Sequence, residues 1–223
     1  MALQQALAAQ HRWRESHFPP DLRAELDKAL QQLKQDNWAQ RALNIGAPLP
    51  ELPLFDQHGA RFSLSSVLGR QPLVLSFFFG HWSIYCNMEL RAFAAIVPAI
   101  EARGARFLPI VAQSVALNHS TQRCNRLPFP LFADPELEAA AACGLLMTLP
   151  EALIEAMEQL GVDLPTQHGE AVRPMPANYV VNEEGEIIYA HIDEDFRQRQ
   201  EPEQLLTHIP VARRQVNWAS LFG

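Results

Sequence analysis

The chain has 223 residues, 48% of them hydrophobic and 19% charged, which is the balance of a globular protein and excludes a disordered one. Its formal net charge is -7 at pH 7 and its Lys and Arg residues are scattered, so we expect no nucleic-acid partner. The longest apolar run, residues 72–79, is too short to cross a bilayer and the first residues lack the apolar core of a secretory signal, so we expect a cytoplasmic protein with no membrane partner.

Residues 1–43 are predicted to form an N-terminal helical extension. In its second half, apolar residues recur at helical spacing: Leu22, Leu26, Ala29, Leu30 and Leu33. Pro19 and Pro20 separate two helices, the second of which begins near Asp21. So small a helical pair buries little surface by itself, and we expect it to pack on the main domain or on a second subunit.

The main domain is predicted to span residues 44–210, and a tail follows at 211–223. The predicted strands are 54–56, 61–63, 73–79, 106–112, 131–133, 178–182 and 186–191. The predicted helices are 84–103, 115–126, 135–143, 150–160 and 201–208, with a polar loop at 161–173. Strands that alternate with helices imply right-handed parallel crossovers and an α/β fold.

The Cys and His residues point away from a metal or nucleotide site. Three Cys, at positions 86, 124 and 143, make neither a disulfide framework nor a Cys-rich zinc site. The chain has no phosphate-binding Gly-rich turn, no pair of His at ligand spacing and no nucleophile elbow around a Ser. We therefore expect no metal and no cofactor, and each Cys is a free thiol.

Cys86 has the setting of a reactive thiol. It follows a buried strand and a short loop, in the first turn of the helix predicted at 84–103. Free backbone N–H groups and the positive end of the helix dipole stabilise an anion there, which favours the nucleophilic thiolate. A buried Cys that only fills space is the alternative, and position alone leaves both interpretations open. Cys124 and Cys143 lie within predicted helices and are expected to be structural.

Several segments follow each other in the order and spacing of a known family. They are Ile-Gly-Ala-Pro-Leu-Pro at 45–50, Leu-Phe-Asp-Gln-His-Gly at 54–59, Phe-Ser-Leu-Ser at 62–65, Leu-Val-Leu-Ser-Phe-Phe at 73–78, and segments 77–90 and 176–185. Over residues 45–208 the chain resembles the alkyl hydroperoxide reductase and thiol-specific antioxidant (AhpC/TSA) family of peroxiredoxin-like proteins. The resemblance implies a thioredoxin-like, peroxiredoxin-type fold, with a central mixed β-sheet flanked by helices.

The resemblance also implies which residues react. The family uses P-x-x-x-T/S-x-x-C, in which the Cys attacks the peroxide and the hydroxyl helps to hold it; Ser83 and Cys86 match the final S-x-x-C. Glu89 matches a Glu that positions a site Arg. Phe79 occupies the place of the Pro, and Ser83 that of the first Cys in a subgroup's W-C-x-x-C. Dithiol exchange needs both sulfurs, so the surviving one favours peroxide chemistry.

The family's usual Arg is absent from its place before a C-terminal strand, where this chain has Pro176. Pro176 resembles the cis-proline of thioredoxin-like oxidoreductases, and we expect a cis peptide bond between Met175 and Pro176. Positive charge near the thiol could instead come from Arg173, Arg91 or His81. The sequence does not decide among these three.

The resemblance implies a thiol-dependent peroxidase that reduces hydrogen peroxide or organic hydroperoxides through Cys86 and a sulfenic acid. The expected substrate-binding residues are Trp82, Glu89, Pro176 and Arg173. An external thiol of the thioredoxin or glutathione system is the expected reductant, because Cys124 and Cys143 would reach Cys86 only after local unfolding. Dimers are common in the family, so a homodimer is a candidate assembly.

Two other functions stay open at this point. One is a binding or regulatory module that has kept the fold and lost efficient catalysis, as the replaced Cys, Pro and Arg would allow. The other is a glutathione-linked thiol–disulfide oxidoreductase, in which glutathione supplies the second sulfur.

Overall fold

The structure, a computed structural model, describes residues 2–69, 71–162, 164 and 170–210. The tail predicted at 211–223 and part of the loop predicted at 161–173 lie outside these residues. None of the helices in this part of the chain is long and apolar enough to span a membrane.

Helices and strands alternate through the described residues. The helices are α1 (Leu3–His17), α2 (Pro20–Gln35), α3 (Ile84–Ala102), α4 (Val115–Asn125), α5 (Glu138–Ala142) and α6 (Glu151–Gln159). The strands are β1 (Pro53–Phe55), β2 (Arg61–Ser63), β3 (Leu73–Phe78), β4 (Arg106–Val111), β5 (Phe132–Ala133), β6 (Leu146–Thr148), β7 (Val172–Pro174), β8 (Ala177–Val181) and β9 (Ile187–Ile192). Short 3-10 helices lie at Trp38–Arg41, Leu64–Ser66 and Pro202–Thr207.

Seven strands form the main sheet, in the order β2-β1-β5-β4-β3-β8-β9. The pairs of β4 with β3 and β5 are parallel, and the other pairs are antiparallel. The sheet is therefore mixed and flanked by helices, which confirms the predicted α/β class. All six residues of β3 are buried, as expected for a continuous apolar run between covered faces.

A second sheet of two strands was missed by the sequence analysis. Its strands β6 and β7 pair antiparallel, with Leu146 opposite Pro174. Strand β7 falls at the end of the predicted polar loop, and three-residue strands are too short for an alternating pattern to be recognised. The C-terminal helix predicted at 201–208 is instead the 3-10 helix Pro202–Thr207.

The prediction of a cis Met175–Pro176 bond is wrong, because the described residues contain no cis peptide bond. The Met175 N–H donates to the carbonyl of Leu145 at 2.7 Å, and β8 begins directly after Pro176. A bond before Pro prefers the trans form by about 0.5–1 kcal/mol, and the strand connection here does not override that preference.

The N-terminal helices pack on the main domain, the first of the two predicted arrangements. Helix α1 contacts α3, and α2 contacts α6. The predicted apolar face of α2 is buried in the common hydrophobic core: Leu22, Leu26, Ala29, Leu30 and Leu33. Segment 38–43 then joins the pair to the rest, where the Leu43 N–H donates to the carbonyl of Cys143 at 2.9 Å.

Candidate active site

Cys86 is the third residue of α3, just past the end of the central strand β3. Ser83 is the N-cap of α3, and its Oγ accepts a hydrogen bond from the Cys86 N–H at 3.3 Å. Ser is among the preferred N-cap residues because its side chain satisfies one of the helix's free N–H groups. Ser83 thus fixes the turn that carries Cys86. The thiol is 1% exposed.

Arg199 is the cation that contacts the thiol. Its Nη2 donates to Cys86 Sγ at 3.5 Å, and its Nε lies 2.7 Å from Glu89 Oε2. The side chains of Arg199 and Glu89 are each 2% exposed, so this ion pair is withdrawn from water. Arg199 follows β9 and is none of the three cations that the sequence offered as candidates.

A chain of buried hydrogen bonds links this ion pair to the central sheet. Asn178 in β8 donates through Nδ2 to Glu89 Oε1 at 3.0 Å, and the Ser76 hydroxyl in β3 donates to Asn178 Oδ1 at 2.5 Å. Strands β3 and β8 pair with Ser76 opposite Asn178. Glu89, and through it Arg199, is therefore oriented by two paired strands in the interior of the sheet.

Burial dominates the electrostatics of Glu89. It raises the pKa of the Glu89 carboxyl, while the charge of Arg199 and the hydrogen bonds from Asn178 and Arg199 oppose the rise. A buried carboxylate keeps its charge only where a cation and donors surround it. Glu89 therefore relies on Arg199 and Asn178 to offset the cost of its burial.

The three cations expected from the sequence lie elsewhere around the site. Arg91 Nη1 donates to Asn125 Oδ1 at 2.9 Å on the exposed side of α3. His81 is exposed in the loop between β3 and α3. Arg173 is buried in β7 and, with His81 and Trp82, lines a cavity of about 230 Å³ at the ends of β3 and β4. Burial lowers the pKa of Arg173.

Aromatic rings form a wall beside the thiol turn. Phe79, which stands where the family has Pro, stacks on Trp82 with ring centroids 5.7 Å apart. Phe196 reaches both Phe79 and Tyr85, with centroid distances of 5.4 Å and 6.0 Å. The wall therefore joins the loop before Cys86 to the segment that carries Arg199.

An apolar cleft of about 130 Å³ adjoins this wall. Trp82, Ser83 and Tyr85 line its inner side, while α1, α2 and α6 close the outer side. Pro176 lies apart from the cleft, buried beside β8, where its carbonyl accepts the Asp193 N–H at 3.4 Å. Of the residues expected to bind substrate, Trp82 lines this cleft and Glu89 lies behind the thiol with Arg199.

A family model described as the AhpC/TSA family matches residues 45–190, more than half of the chain. The chain belongs to the AhpC/TSA family. No curated protein sequence matches it.

Solved structures of peroxiredoxins share the fold. Peroxidoxin BcpB from Mycobacterium tuberculosis has a TM-score of 0.58 at 17% identity, covering 74% of this chain and 96% of that one. Reduced Prx3 from Vibrio vulnificus, solved in complex with hydrogen peroxide, has 0.59 at 13%, covering 74% and 97%. Peroxiredoxin Q from Xanthomonas campestris has 0.54 at 18%, covering 70% and 87%. The predicted peroxiredoxin-like thioredoxin fold is confirmed.

Arg199 lies outside the residues that the family model matches, and the sequence analysis missed it for a related reason. Arg199 is neither at the family's usual place nor close to the thiol in sequence, because 113 positions separate it from Cys86. A usable signal was Glu89 itself. An acidic residue on the buried side of a helix needs a cation as its partner. The segment between the last predicted strand, 186–191, and the predicted C-terminal helix, 201–208, contains two cations, Arg197 and Arg199.

The other two thiols differ sharply in accessibility. Cys124 is exposed on α4, whereas Cys143 is buried at the end of α5. Burial, with a smaller contribution from the charge of Asp134, raises the pKa of the Cys143 thiol to about 12. At pH 8 we therefore expect iodoacetamide to label Cys124 in the native protein and to leave Cys143 unmodified, as measured by peptide mass spectrometry. In guanidinium chloride both should label at similar rates; native labelling of Cys143 as fast as that of Cys124 would contradict its burial.

Proposed function

We propose that this AhpC/TSA family member is a thiol peroxidase that reduces hydrogen peroxide or organic hydroperoxides through Cys86. The observation that carries the proposal is the contact at 3.5 Å between Cys86 Sγ and the buried guanidinium of Arg199. A cation beside a thiol at a helix N-terminus favours the thiolate, which is the attacking species. Arg199 also supplies a cation in place of the Arg that is usual in the family. The absence of that Arg was one of three departures from the family pattern that favoured a binding module with weakened catalysis.

In the proposed reaction the Cys86 thiolate attacks one peroxide oxygen and forms an S–O bond while the O–O bond breaks. The sulfur is oxidised by two electrons to a sulfenic acid. The other oxygen leaves as hydroxide or alkoxide and takes a proton to become water or an alcohol. Arg199 stabilises the thiolate first and then the negative charge that develops on the leaving oxygen.

Ser83 is proposed to hold the peroxide. Its Oγ accepts the hydrogen bond from the Cys86 N–H, so the hydroxyl proton can be donated to a peroxide oxygen. Ser83 also lines the apolar cleft beside Trp82, and we propose this cleft as the path to the thiol. Because Cys86 is 1% exposed, the neighbouring side chains have to shift before substrate reaches Sγ.

Recycling is proposed to use an external thiol of the thioredoxin or glutathione type. That thiol attacks the sulfenic acid, forms a mixed disulfide and releases water, and a second thiol then frees Cys86. Buried Cys143 and Cys124 on the outer face of α4 are poorly placed to replace it, because each would need local unfolding to come within bonding distance.

A sulfenic-acid trap tests the proposal. The reduced protein is mixed with one equivalent of hydrogen peroxide in the presence of a dimedone-type trap, and its intact mass and peptides are analysed. We expect one adduct, on Cys86, and none on Cys124, which is exposed and has no buried cation bonded to its sulfur among the described residues. A Cys86→Ser variant serves as the blank. A natively folded protein that gains no adduct on Cys86 would refute the proposal.

A further inference from the structure

The residue that contacts the thiol, Arg199, is carried by a segment without helix or strand. Segment 193–201 follows β9 and precedes the C-terminal 3-10 helix. Such a segment has no hydrogen-bond ladder of its own, so other elements must hold it if a guanidinium is to stay within bonding distance of a sulfur atom. Several of those supports come from the N-terminal helices.

The start of α1 is bound by this segment. Helix α1 has Ala2 as its N-cap, without a side-chain cap and without an acidic residue in its first turn. Instead the Glu201 carboxylate accepts hydrogen bonds from the N–H groups of Leu3 at 3.1 Å and Gln4 at 2.7 Å. A carboxylate there satisfies two free N–H groups and faces the positive end of the helix dipole. Glu201 thus caps a helix nearly 200 positions away in sequence.

Gln4 reaches Arg199 directly. Its side-chain Nε2 donates to the backbone carbonyl of Arg199 at 2.5 Å. The Arg199 guanidinium folds back on its own segment as well, where Nη1 donates to the carbonyls of Phe196 and Gln198. The backbone of Arg199 is therefore fixed by α1, while its side chain is fixed by Glu89 and the segment.

The rest of the segment is held by both N-terminal helices. Asp195 is 1% exposed and binds the Arg197 guanidinium through both carboxylate oxygens, while Lys34 of α2 approaches at 3.2 Å. Arg197 Nη1 donates to Asp27 of α2 at 2.8 Å, and Arg14 of α1 donates to the same carboxylate oxygen at 3.1 Å. The ionic network therefore ties α1 and α2 to the residues on either side of Phe196.

We infer that the N-terminal helices are a working part of the active site, in which Gln4 and Glu201 are positioning residues that keep Arg199 against Cys86. Both the helices and Arg199 lie outside the residues 45–190 that the family model matches, whereas Glu89, which pairs with the Arg199 side chain, lies inside them. The expected effect of Gln4 and Glu201 on the rate of peroxide reduction rests on the proposed function. Their role in positioning Arg199 against Cys86 is independent of that function.

Matched variants test the inference. Gln4→Ala and Glu201→Ala are compared with Gln5→Ala and Glu203→Ala, which remove the same side chains from exposed positions next to them. The rate constant for oxidation of Cys86 by hydrogen peroxide is followed by stopped-flow Trp fluorescence. We expect a loss of about fivefold for Gln4→Ala and about 25-fold for Glu201→Ala, the equivalent of one and two hydrogen bonds. The control variants should match the wild type.

A double-mutant cycle separates positioning from general stability. In a background of Arg199→Ala with Glu89→Gln, no guanidinium remains to be positioned, so Gln4→Ala should have no further effect on the rate. If that background does not fold, Arg199→Lys, which keeps the charge but loses the planar fork, replaces it and should reduce the effect. A loss of equal size in both backgrounds, or no loss in the wild-type background, would overturn the inference.

The same cycle is measured with iodoacetamide alkylation of Cys86, which needs no peroxide. If the wild type fails to react with peroxide but alkylation shows the coupling between Gln4 and Arg199, the proposed function is wrong and the inference stands. If peroxide oxidation is fast and depends on Arg199, but Gln4→Ala and Glu201→Ala behave like their controls in both assays, the inference is wrong and the proposed function stands.

Discussion

Replacing Arg199 with Ala is expected to slow the oxidation of Cys86 by hydrogen peroxide by roughly 10²-fold. The substitution removes the donor to Sγ at 3.5 Å and the only cation that we assign to the leaving oxygen. Loss of one preorganised donor to a developing negative charge typically costs about 10²- to 10³-fold in rate. The second-order rate constant, from stopped-flow Trp fluorescence at several peroxide concentrations, measures the effect.

The control for this prediction has to separate chemistry from folding. Without Arg199, Glu89 is a buried carboxylate with no cation, which should lower the free energy of unfolding by about 3–5 kcal/mol. Adding Glu89→Gln removes that charge and retains an oxygen for the hydrogen bond from Asn178. We expect the pair of substitutions to regain most of the stability and none of the rate. Arg91→Ala, on the exposed side of α3, should keep the wild-type rate.

A wild-type rate constant in the folded double variant would show that Arg199 is structural only. In that case the thiol would owe its reactivity to the N-terminus of α3 and to Ser83. An intermediate loss in Arg199→Lys would locate the effect in the geometry of the guanidinium fork, because Lys retains the charge.

The position of the thiol could be predicted because every signal for it is local. The apolar run of β3, the Ser at the N-cap and the amphipathic pattern of α3 lie within 30 consecutive residues, and together they place Cys86 at a helix start. Propensity, capping and periodicity are short-range properties of a sequence. The structure follows them closely in this part of the chain, with α3 beginning at Ile84.

The cation could not be predicted in the same way. What brings Arg199 to Cys86 is the packing of α1 and α2 against an irregular segment, and no periodicity or motif encodes that contact. The family resemblance also gave a wrong prediction. Pro176 matches a proline that follows a cis peptide bond, but the described residues of this chain contain no cis bond. The matched Glu89 was informative for a physical reason, because a buried acid requires a partner wherever that partner lies in the sequence.

The N-terminal extension contacts the main domain at Gly144, where a larger residue would collide with the backbone of Arg41. We therefore expect Gly144→Ala to destabilise the protein. Gly144 follows α5 with φ +67°, and a Cβ there would lie 2.1 Å from the Arg41 carbonyl oxygen and 2.9 Å from its carbon. Both are backbone atoms, so no side-chain rotation relieves the overlap, and segment 38–43 has to move. We expect the free energy of unfolding, measured in urea, to fall by more than about 3 kcal/mol.

Gly161→Ala is the matched control, because Gly161 closes α6 as Gly144 closes α5, with φ +75° and no described residue within 4 Å of the added carbon. That variant should lose only the cost of a left-handed Ala, about 1–2 kcal/mol. Equal losses of unfolding free energy in the two variants would show that segment 38–43 can move away from residue 144 at little cost. A larger loss for Gly144→Ala, together with slower oxidation of Cys86 in that variant alone, would connect this backbone contact to the helices that hold Arg199.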